Sequence, residues 1–90
     1  MPRTAASDIA SKLIGNEIRR ARVEEGLTQV EVGVRLGTSA SYVANVEAGR
    51  LNLTVGQLAR IADAIGTDLE VHLPRLKIEP VVVREPPLRS

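Results

Sequence analysis

The fold of this chain is decided by residues 27–50, LTQVEVGVRLGTSASYVANVEAGR. Thr28 and Glu31 have the spacing of a capping box, in which each side chain accepts a hydrogen bond from the other residue's backbone amide. A helix is therefore expected to begin after Thr28. Gly37 is positioned to end it, because glycine adopts without strain the left-handed conformation that closes many helices.

A second short helix follows directly. Thr38 or Ser39 can cap it, since both residue types are preferred at this position, and Gly49 is positioned to end it. Two short helices at 28–36 and 39–48, joined by a tight turn, are typical of a helix-turn-helix. An ordinary helical hairpin has the same spacing, so the residues on the outward face must distinguish the two.

The flanking segments repeat these signals. An apolar stripe at helical spacing precedes the pair and consists of Ile14, Ile18 and Ala21. Gly26 is expected to end that helix. Thr54 and Gln57 form a second capping box, and Gly66 follows the fourth helix. The pattern predicts an all-α bundle of short helices over residues 13–66.

The two ends of the chain differ from this bundle. Residues 1–12 mix small and polar types, and we interpret them as an arm or an early helical turn that Ser7 or Asp8 caps. Within residues 67–79 the apolar side chains alternate with polar ones, which indicates a half-buried strand containing Leu69, Val71 and Leu73. A lone strand has no sheet to join, so we expect it to pair with its copy in a homodimer. The Pro-rich residues 80–90 are predicted to be a flexible tail.

The composition narrows the class of protein without identifying it. The formal net charge of +1 does not by itself indicate a nucleic-acid binder, although the central segment is rich in arginine. Hydrophobic residues make up 43% of the 90 residues, and the aromatic residues are a single tyrosine, so the core must consist of Leu, Ile, Val and Ala. The absence of cysteine excludes disulfides, thiolate zinc sites and cysteine nucleophiles.

The outward face of the second motif helix indicates DNA binding. It presents small, uncharged side chains, namely Ser39, Ala40, Ser41, Tyr42, Ala44 and Asn45. A merely solvated face more often carries Lys and Glu. Small groups let a helix approach base edges, where Asn can bind adenine through two hydrogen bonds and an Ala methyl can contact that of thymine. Candidate phosphate contacts surround this face and are Thr28, Gln29, Arg50, Asn52 and the amides of Thr54 and Val55.

Several segments carry a resemblance to a known family. Residues 14–22 (IGNEIRRAR), 26–32 (GLTQVEV), 41–43 (SYV), 46–50 (VEAGR) and 58–66 (LARIADAIG) resemble the Cro/C1-type (Xre-like) helix-turn-helix transcriptional regulators. The resemblance implies a lambda-repressor-like bundle of four to five short helices that binds operator DNA as a dimer. We expect a repressor on a palindromic operator, acting on its own promoter, with the C-terminal strand serving dimerisation.

The resemblance also implies roles for individual residues. Gln29 matches a glutamine oriented on phosphate and base. Ser39, Ala40, Ser41 and Asn45 match base-reading positions, and Tyr42 and Arg50 match contacts to the DNA backbone. Arg22 and Glu47 match an ion pair that ties the first helix to the third.

The sequence departs from the family pattern at a few positions. Gly33 stands where Ala is usual, which weakens its helix by up to about 1 kcal/mol but permits closer packing between the motif helices. Leu53 stands where the family often has Pro. The outward face of the second motif helix, here called the recognition face, also lacks Arg and Gln, whose long side chains could reach a base edge. Readout of guanine by this helix is therefore in doubt.

A second interpretation is an antitoxin whose main partner is a toxin protein. The residues Asp68 to Leu73 that follow the bundle resemble HipB- or HigA-type antitoxins, and the segments before Lys12 and after Ile78 are candidate toxin-binding regions. Such antitoxins usually repress their own operon, so the two interpretations are compatible.

Catalysis is not indicated. The one histidine, His72, falls on the predicted solvent face of the strand, and no Ser or Asp stands at a diagnostic spacing from it. No His, Asp and Glu cluster has metal-ligand spacing, and no Gly-rich phosphate loop follows a strand. We therefore predict no enzyme activity, no metal and no cofactor. Without an apolar run of about 18 residues or a charged leader, the chain is expected to be cytoplasmic, and nucleoid-associated when bound to DNA.

Overall fold

The computed structural model describes residues 5–71 and 81–83. Its elements are α1 (Ala5–Glu24), α2 (Gln29–Leu36), α3 (Ala40–Glu47), α4 (Val55–Ile65), β1 (Leu69–Val71) and β2 (Val81–Val83). The predicted fold class is confirmed, since the helices form a bundle in which α2 and α3 are the helix-turn-helix pair. None of the described helices combines the length and apolar character needed to cross a membrane.

The capping signals in the sequence determine where the helices begin and end. Both predicted capping boxes are present, with Thr28 at the start of α2 and Thr54 at the start of α4. Of the two candidates for the cap of α3, Ser39 takes the position, and its hydroxyl accepts the amide of Tyr42 at 3.2 Å. Gly37 closes α2 in the left-handed conformation, at φ 73°.

The first helix begins earlier than the sequence predicts. Ser7 and Asp8, proposed as caps, lie inside α1, which already includes Ala5. Alanine is the strongest helix former and is frequent here, and tertiary contacts hold the segment. The Ser11 hydroxyl donates to the Asn52 side-chain oxygen at 3.1 Å. Much of the predicted arm is therefore part of the bundle.

The core is aliphatic, as the composition requires. Ile18, Val32 and Leu69 are its largest fully buried side chains. The remaining buried members of the cluster are Ala21, Val43, Val46, Leu58, Ile61, Ala62, Ile65 and Val83. Both motif helices, α1, α4 and the two strands all contribute, so the strands belong to the same core as the helices.

Two glycines permit close approach of helix backbones. A Cβ atom on Gly15 in α1 would lie 2.5 Å from the carbonyl oxygen of Glu47 in α3. A Cβ atom on Gly33 in α2 would lie 2.9 Å from the carbonyl carbon of Ser39. The close packing of the motif helices predicted for Gly33 is thus confirmed, and Gly15 has the same function where α1 meets α3.

The strand after α4 has a partner in its own chain. β1 pairs antiparallel with β2, with Leu69 opposite Val83 and Val71 opposite Val81. The expectation that β1 would be a lone strand is therefore wrong, and so is a flexible tail over Val81–Val83. Val83 is buried, so packing against the helices stabilises a pairing distant in sequence.

The other edge of β1 is also occupied. The amide of Glu70 points away from β2 and donates to a carboxylate oxygen of Glu17 at 2.9 Å. Leu69 and Val71 have their side chains in the core, at 1% and 6% exposure. The predicted pairing of β1 with a second copy is therefore not available in this structure, and Leu73 lies outside the described residues.

Candidate nucleic-acid interface

The outward face of α3 is the centre of the candidate interface. Ser39 and Ser41 are exposed, and Ala40, Ala44 and Asn45 are half-buried. No charged side chain stands on this face within α3, because its one acid, Glu47, is buried at 8% exposure. The Ser39 oxygen already accepts the Tyr42 amide, and its hydroxyl hydrogen remains able to donate to a base or phosphate.

Tyr42 lies differently from the sequence prediction. It was expected on the outward face, but its ring is half-buried and packs against the core. Together with Thr38, Gln57 and Arg60 it lines an open cleft between α3 and α4. Tyr42 therefore stands at the side of the outward face of α3, beside the cleft between α3 and α4.

Beneath the face, the structure places Arg22 and Glu47 together. The Arg22 Nε donates to Glu47 Oε2 at 2.6 Å, and Nη2 donates to Oε1 at 3.0 Å. Both side chains are largely buried, at 12% and 4% exposure, and the hydrogen bond to Glu47 raises the pKa of Arg22 despite its burial. Arg22 also donates to the carbonyl of Leu27 at 2.8 Å. This pair thus connects α1, the start of α2 and the end of α3.

Gln29 belongs to the same network. Its Nε2 donates to Glu47 Oε1 at 3.2 Å, which orients the amide at the N-terminus of α2. Gln29 is half-buried, and it lines an open cleft together with Asn16, Arg19 and Ala44. The sequence prediction missed Asn16 and Arg19. Their three-residue spacing on α1, off the apolar stripe, was the available signal, since it places both on one polar face.

The arginines of the central segment are not equally available to a polyanion. Arg20 donates to Glu17 at 2.7 Å and to Glu24 at 2.5 Å, and the hydrogen bond to Glu17 raises the pKa of Arg20 above its usual value. Arg19, its neighbour, is exposed, and the described part of the chain contains no acid paired with it. Arg19 is therefore the better candidate for a phosphate contact.

Two further arginines satisfy helix carbonyls. Arg35 of α2 donates to the carbonyl of Ala64 in the last turn of α4 at 2.9 Å. Arg60 of α4 donates to the carbonyl of Leu36, the last residue of α2, at 3.3 Å. Each side chain thus binds a carbonyl that the helix end leaves without an intrahelical partner. Their first function is to join α2 to α4.

The N-termini of α2 and α4 retain part of their predicted capacity for phosphate. Glu31 accepts the amide of Thr28, and Gln57 accepts the amide of Thr54 at 2.8 Å, so these two amides are already bonded. The Val55 amide in the first turn of α4 is not bonded in this way. Asn52, proposed as a backbone contact, accepts from Ser11 at 3.1 Å and lies on the exposed surface.

Arg50 and Asn45 lie side by side at the end of α3. Arg50 Nη1 donates to the Asn45 side-chain oxygen at 2.9 Å. Arg50 is exposed, and Asn45 is half-buried on the recognition face. The residue predicted to hold phosphate and the residue predicted to read a base are thus directly connected.

Comparison with known proteins agrees with this geometry. A family model described as a helix-turn-helix domain matches residues 13–76. The chain is 47% identical over 55 residues to the uncharacterized HTH-type transcriptional regulator y4dJ of Sinorhizobium fredii, covering 61% of this chain and 71% of that protein. It is 36% identical over 53 residues to the immunity repressor protein of Bacillus phage phi105, covering 59% of this chain but only 37% of that protein.

A solved structure shares the fold at similar size. The restriction-modification controller protein C.AhdI from Aeromonas hydrophila superposes with a TM-score of 0.59 at 27% identity, covering 69% of this chain and 87% of that one. The family match spans most of the chain and includes both motif helices. The chain therefore belongs to the helix-turn-helix family, as a transcriptional regulator of the Cro/C1 (Xre-like) type.

Proposed function

We propose that this regulator is a sequence-specific repressor that binds a palindromic operator as a homodimer and represses its own promoter. The observation that carries the proposal is the uncharged outward face of α3, bordered by the cations Arg19 and Arg50. Small side chains let the backbone of a helix approach base edges closely, and cations at the rim of such a face can bind phosphates. This surface has both properties.

Base reading is assigned to Ser39, Ala40, Ser41 and Asn45. Asn45 has the greatest capacity for discrimination, because its amide can bond two atoms of one base edge. Ser41 is exposed and tolerant of several partners, and the Ala40 methyl suits contact with a thymine methyl. These assignments predict an operator half-site whose preference is concentrated at the base pair that faces Asn45.

Register on the duplex is assigned to backbone contacts. Gln29, held by Glu47, and the Val55 amide in the first turn of α4 offer neutral donors. Arg19 offers charge in the cleft that Gln29 also lines, and Arg50 offers charge beside Asn45. The Thr28 and Thr54 hydroxyls can each donate a hydrogen while their oxygens cap a helix. Contacts of this kind hold the protein in place and contribute most of the salt-dependent affinity.

The homodimer is proposed because a palindromic operator presents two half-sites related by twofold symmetry. Two recognition helices about 34 Å apart fit successive major-groove faces of B-DNA. Deletion of the strands is a poor test, because Leu69 and Val83 are part of the core. Sedimentation of the protein with a duplex is a better one, and two chains per duplex are expected. A single chain at saturation would contradict the dimer.

The function is tested by fluorescence anisotropy with labelled duplex from the chain's own upstream region. A shuffled duplex of equal composition serves as the control, at two salt concentrations. A preference of about a thousandfold or more for the native duplex is expected of an autoregulating repressor. Equal, weak and strongly salt-dependent binding to both duplexes would refute autoregulation.

The antitoxin interpretation stays a prediction. Its candidate toxin-binding segments are the residues before Lys12 and those after Ile78. The first is largely part of α1, and the second lies mainly outside the described residues. Repression is preferred because the uncharged outward face of α3, with Arg50 beside it, has the chemistry of a DNA-reading surface.

A further inference from the structure

The end of α3 brings Asn45 and Arg50 together through the backbone. Gly49 is in the left-handed conformation at φ 74°, its amide donates to the carbonyl of Val46, and the Arg50 amide donates to the carbonyl of Asn45, both at 3.1 Å. These two bonds constitute a Schellman motif, which places the residue after the glycine beside the residue three positions from the helix end. An apolar contact commonly fills that position. Here a hydrogen bond between polar side chains does so.

That hydrogen bond has a directional consequence for the Asn45 amide. The side-chain oxygen accepts from Arg50 Nη1 at 2.9 Å, so the oxygen is turned toward Arg50 and the NH₂ group away from it. A guanidinium can only donate, and the reversed amide would set two donors against each other. The positions of oxygen and nitrogen on the recognition face are therefore determined before any base is bound.

Arg50 retains enough donors to act on DNA at the same time. Its guanidinium carries five N–H groups, of which the bond to Asn45 uses one. The side chain is exposed, and no acid in the described part of the chain pairs with it. The same arginine can therefore bind a phosphate while it holds the amide, which links the register of the protein on the duplex to the orientation of a base-reading group.

We propose that Arg50 is a specificity-determining positioning residue, which orients the Asn45 amide so that the base pair facing Asn45 is discriminated. The inference rests on the proposed sequence-specific binding and deepens it. It differs from the role of a simple backbone contact, because loss of such a contact lowers the affinity for all sequences alike. Loss of a positioning residue also removes the preference at one base pair.

The test uses the full chain and a pool of duplexes with a randomised core of about two turns of B-DNA. Wild type, Arg50→Ala, Asn45→Ala and the double variant are each equilibrated with the pool, and the bound fraction is sequenced. Arg19→Ala is the matched control, because it removes an equal charge at a site without contact to Asn45. Circular dichroism and thermal unfolding establish that each variant is folded.

Arg50→Ala and Asn45→Ala are expected to reduce preference at the same position, each by roughly tenfold, since a bidentate contact supplies discrimination of that order. The double variant should lose no more at that position than either single variant. Arg19→Ala should bind more weakly with an unchanged profile. If Arg50→Ala retained the wild-type preference at every position, the inference would be overturned and the proposed function would stand. A wild type without preference at any position would overturn the proposed function and the inference with it.

Discussion

The substitution Gly15→Ala is the sharpest test of how the helices pack. In most helices this change is stabilising, because glycine costs up to about 1 kcal/mol relative to alanine. Here the new Cβ would lie 2.5 Å from the Glu47 carbonyl oxygen and 2.6 Å from that of Val46. Both contacts are to backbone, so no side chain can rotate away. We therefore expect the sign of the effect to reverse.

The magnitude follows from the separation required. Ordinary carbon–oxygen contact begins at about 3.4 Å, so α1 and α3 must move apart by roughly 0.9 Å, a gap that forfeits about a quarter to a half of each pairwise attraction across the interface. Overpacking of this kind costs about 1–3 kcal/mol. The displaced backbone is that of Glu47, so its ion pair with Arg22 is strained as well. A net loss of about 2 kcal/mol corresponds to a melting temperature lower by about 8–16 °C in a domain of this size.

The assay is thermal and urea unfolding followed by circular dichroism, at one fixed protein concentration because the stability of a self-associating protein depends on its concentration. Gly56→Ala is the matched control. Gly56 also lies in a helix, and its added Cβ would meet only the Thr54 hydroxyl oxygen at 3.8 Å. The free energy of unfolding of that variant should rise by about 0.5–1 kcal/mol, because alanine favours the helix over glycine. If Gly15→Ala matched or exceeded wild type in stability, the close approach of α1 to α3 would be refuted.

Three further predictions concern the same framework. Gly33→Ala should destabilise by about 1 kcal/mol despite its better helix propensity, because the Cβ would meet the Ser39 backbone at 2.9 Å; a stability gain in urea unfolding would refute this. Glu47→Ala should lower the free energy of unfolding by about 3–5 kcal/mol, because it leaves Arg22 buried without its partner. Arg20→Ala removes an exposed pair and should lower it by less than about 1 kcal/mol, so equal losses in urea unfolding would contradict the difference in burial. Arg19→Ala should reduce the slope of log DNA affinity against log salt concentration by about one, and Arg20→Ala should reduce it by less. A larger reduction in Arg20→Ala than in Arg19→Ala would exclude the cleft beside Gln29 as a phosphate site.

Much of the candidate site could be predicted because its signals are local. A capping box is a relation between residues three apart, and a helix-ending glycine is a single position, so α2, α3 and α4 were placed within a residue or two. The small, uncharged face of α3 is likewise readable from helical spacing alone. The role of Gly33 was also accessible, because a glycine inside a short helix suggests a close neighbour.

Other features of the site are not predicted from the apolar stripe alone. Arg19 and Arg20 both lie off that stripe, but only Arg20 has acids three and four residues away, Glu17 and Glu24, which pair with it within α1. Tyr42 was expected to face outward, but an aromatic ring at the margin of an aliphatic core is stabilised by partial burial. The bond from Arg50 to Asn45 is not predicted either, because a helix-ending glycine indicates where the turn lies but not which side chains meet across it.

By itself, the sequence determined the helical bundle, the helix-turn-helix within it and the uncharged face of α3, because each depends on residues close together along the chain. Only the tertiary structure decided the partner of β1. Val81–Val83 is a uniformly apolar stretch among prolines, without the alternation that identifies a strand, and it pairs because Val83 is buried against the helices. Likewise, the Glu17 carboxylate reaches the free edge of β1 only because α1 packs there. Such contacts arise from the packing of distant segments, which no local pattern specifies.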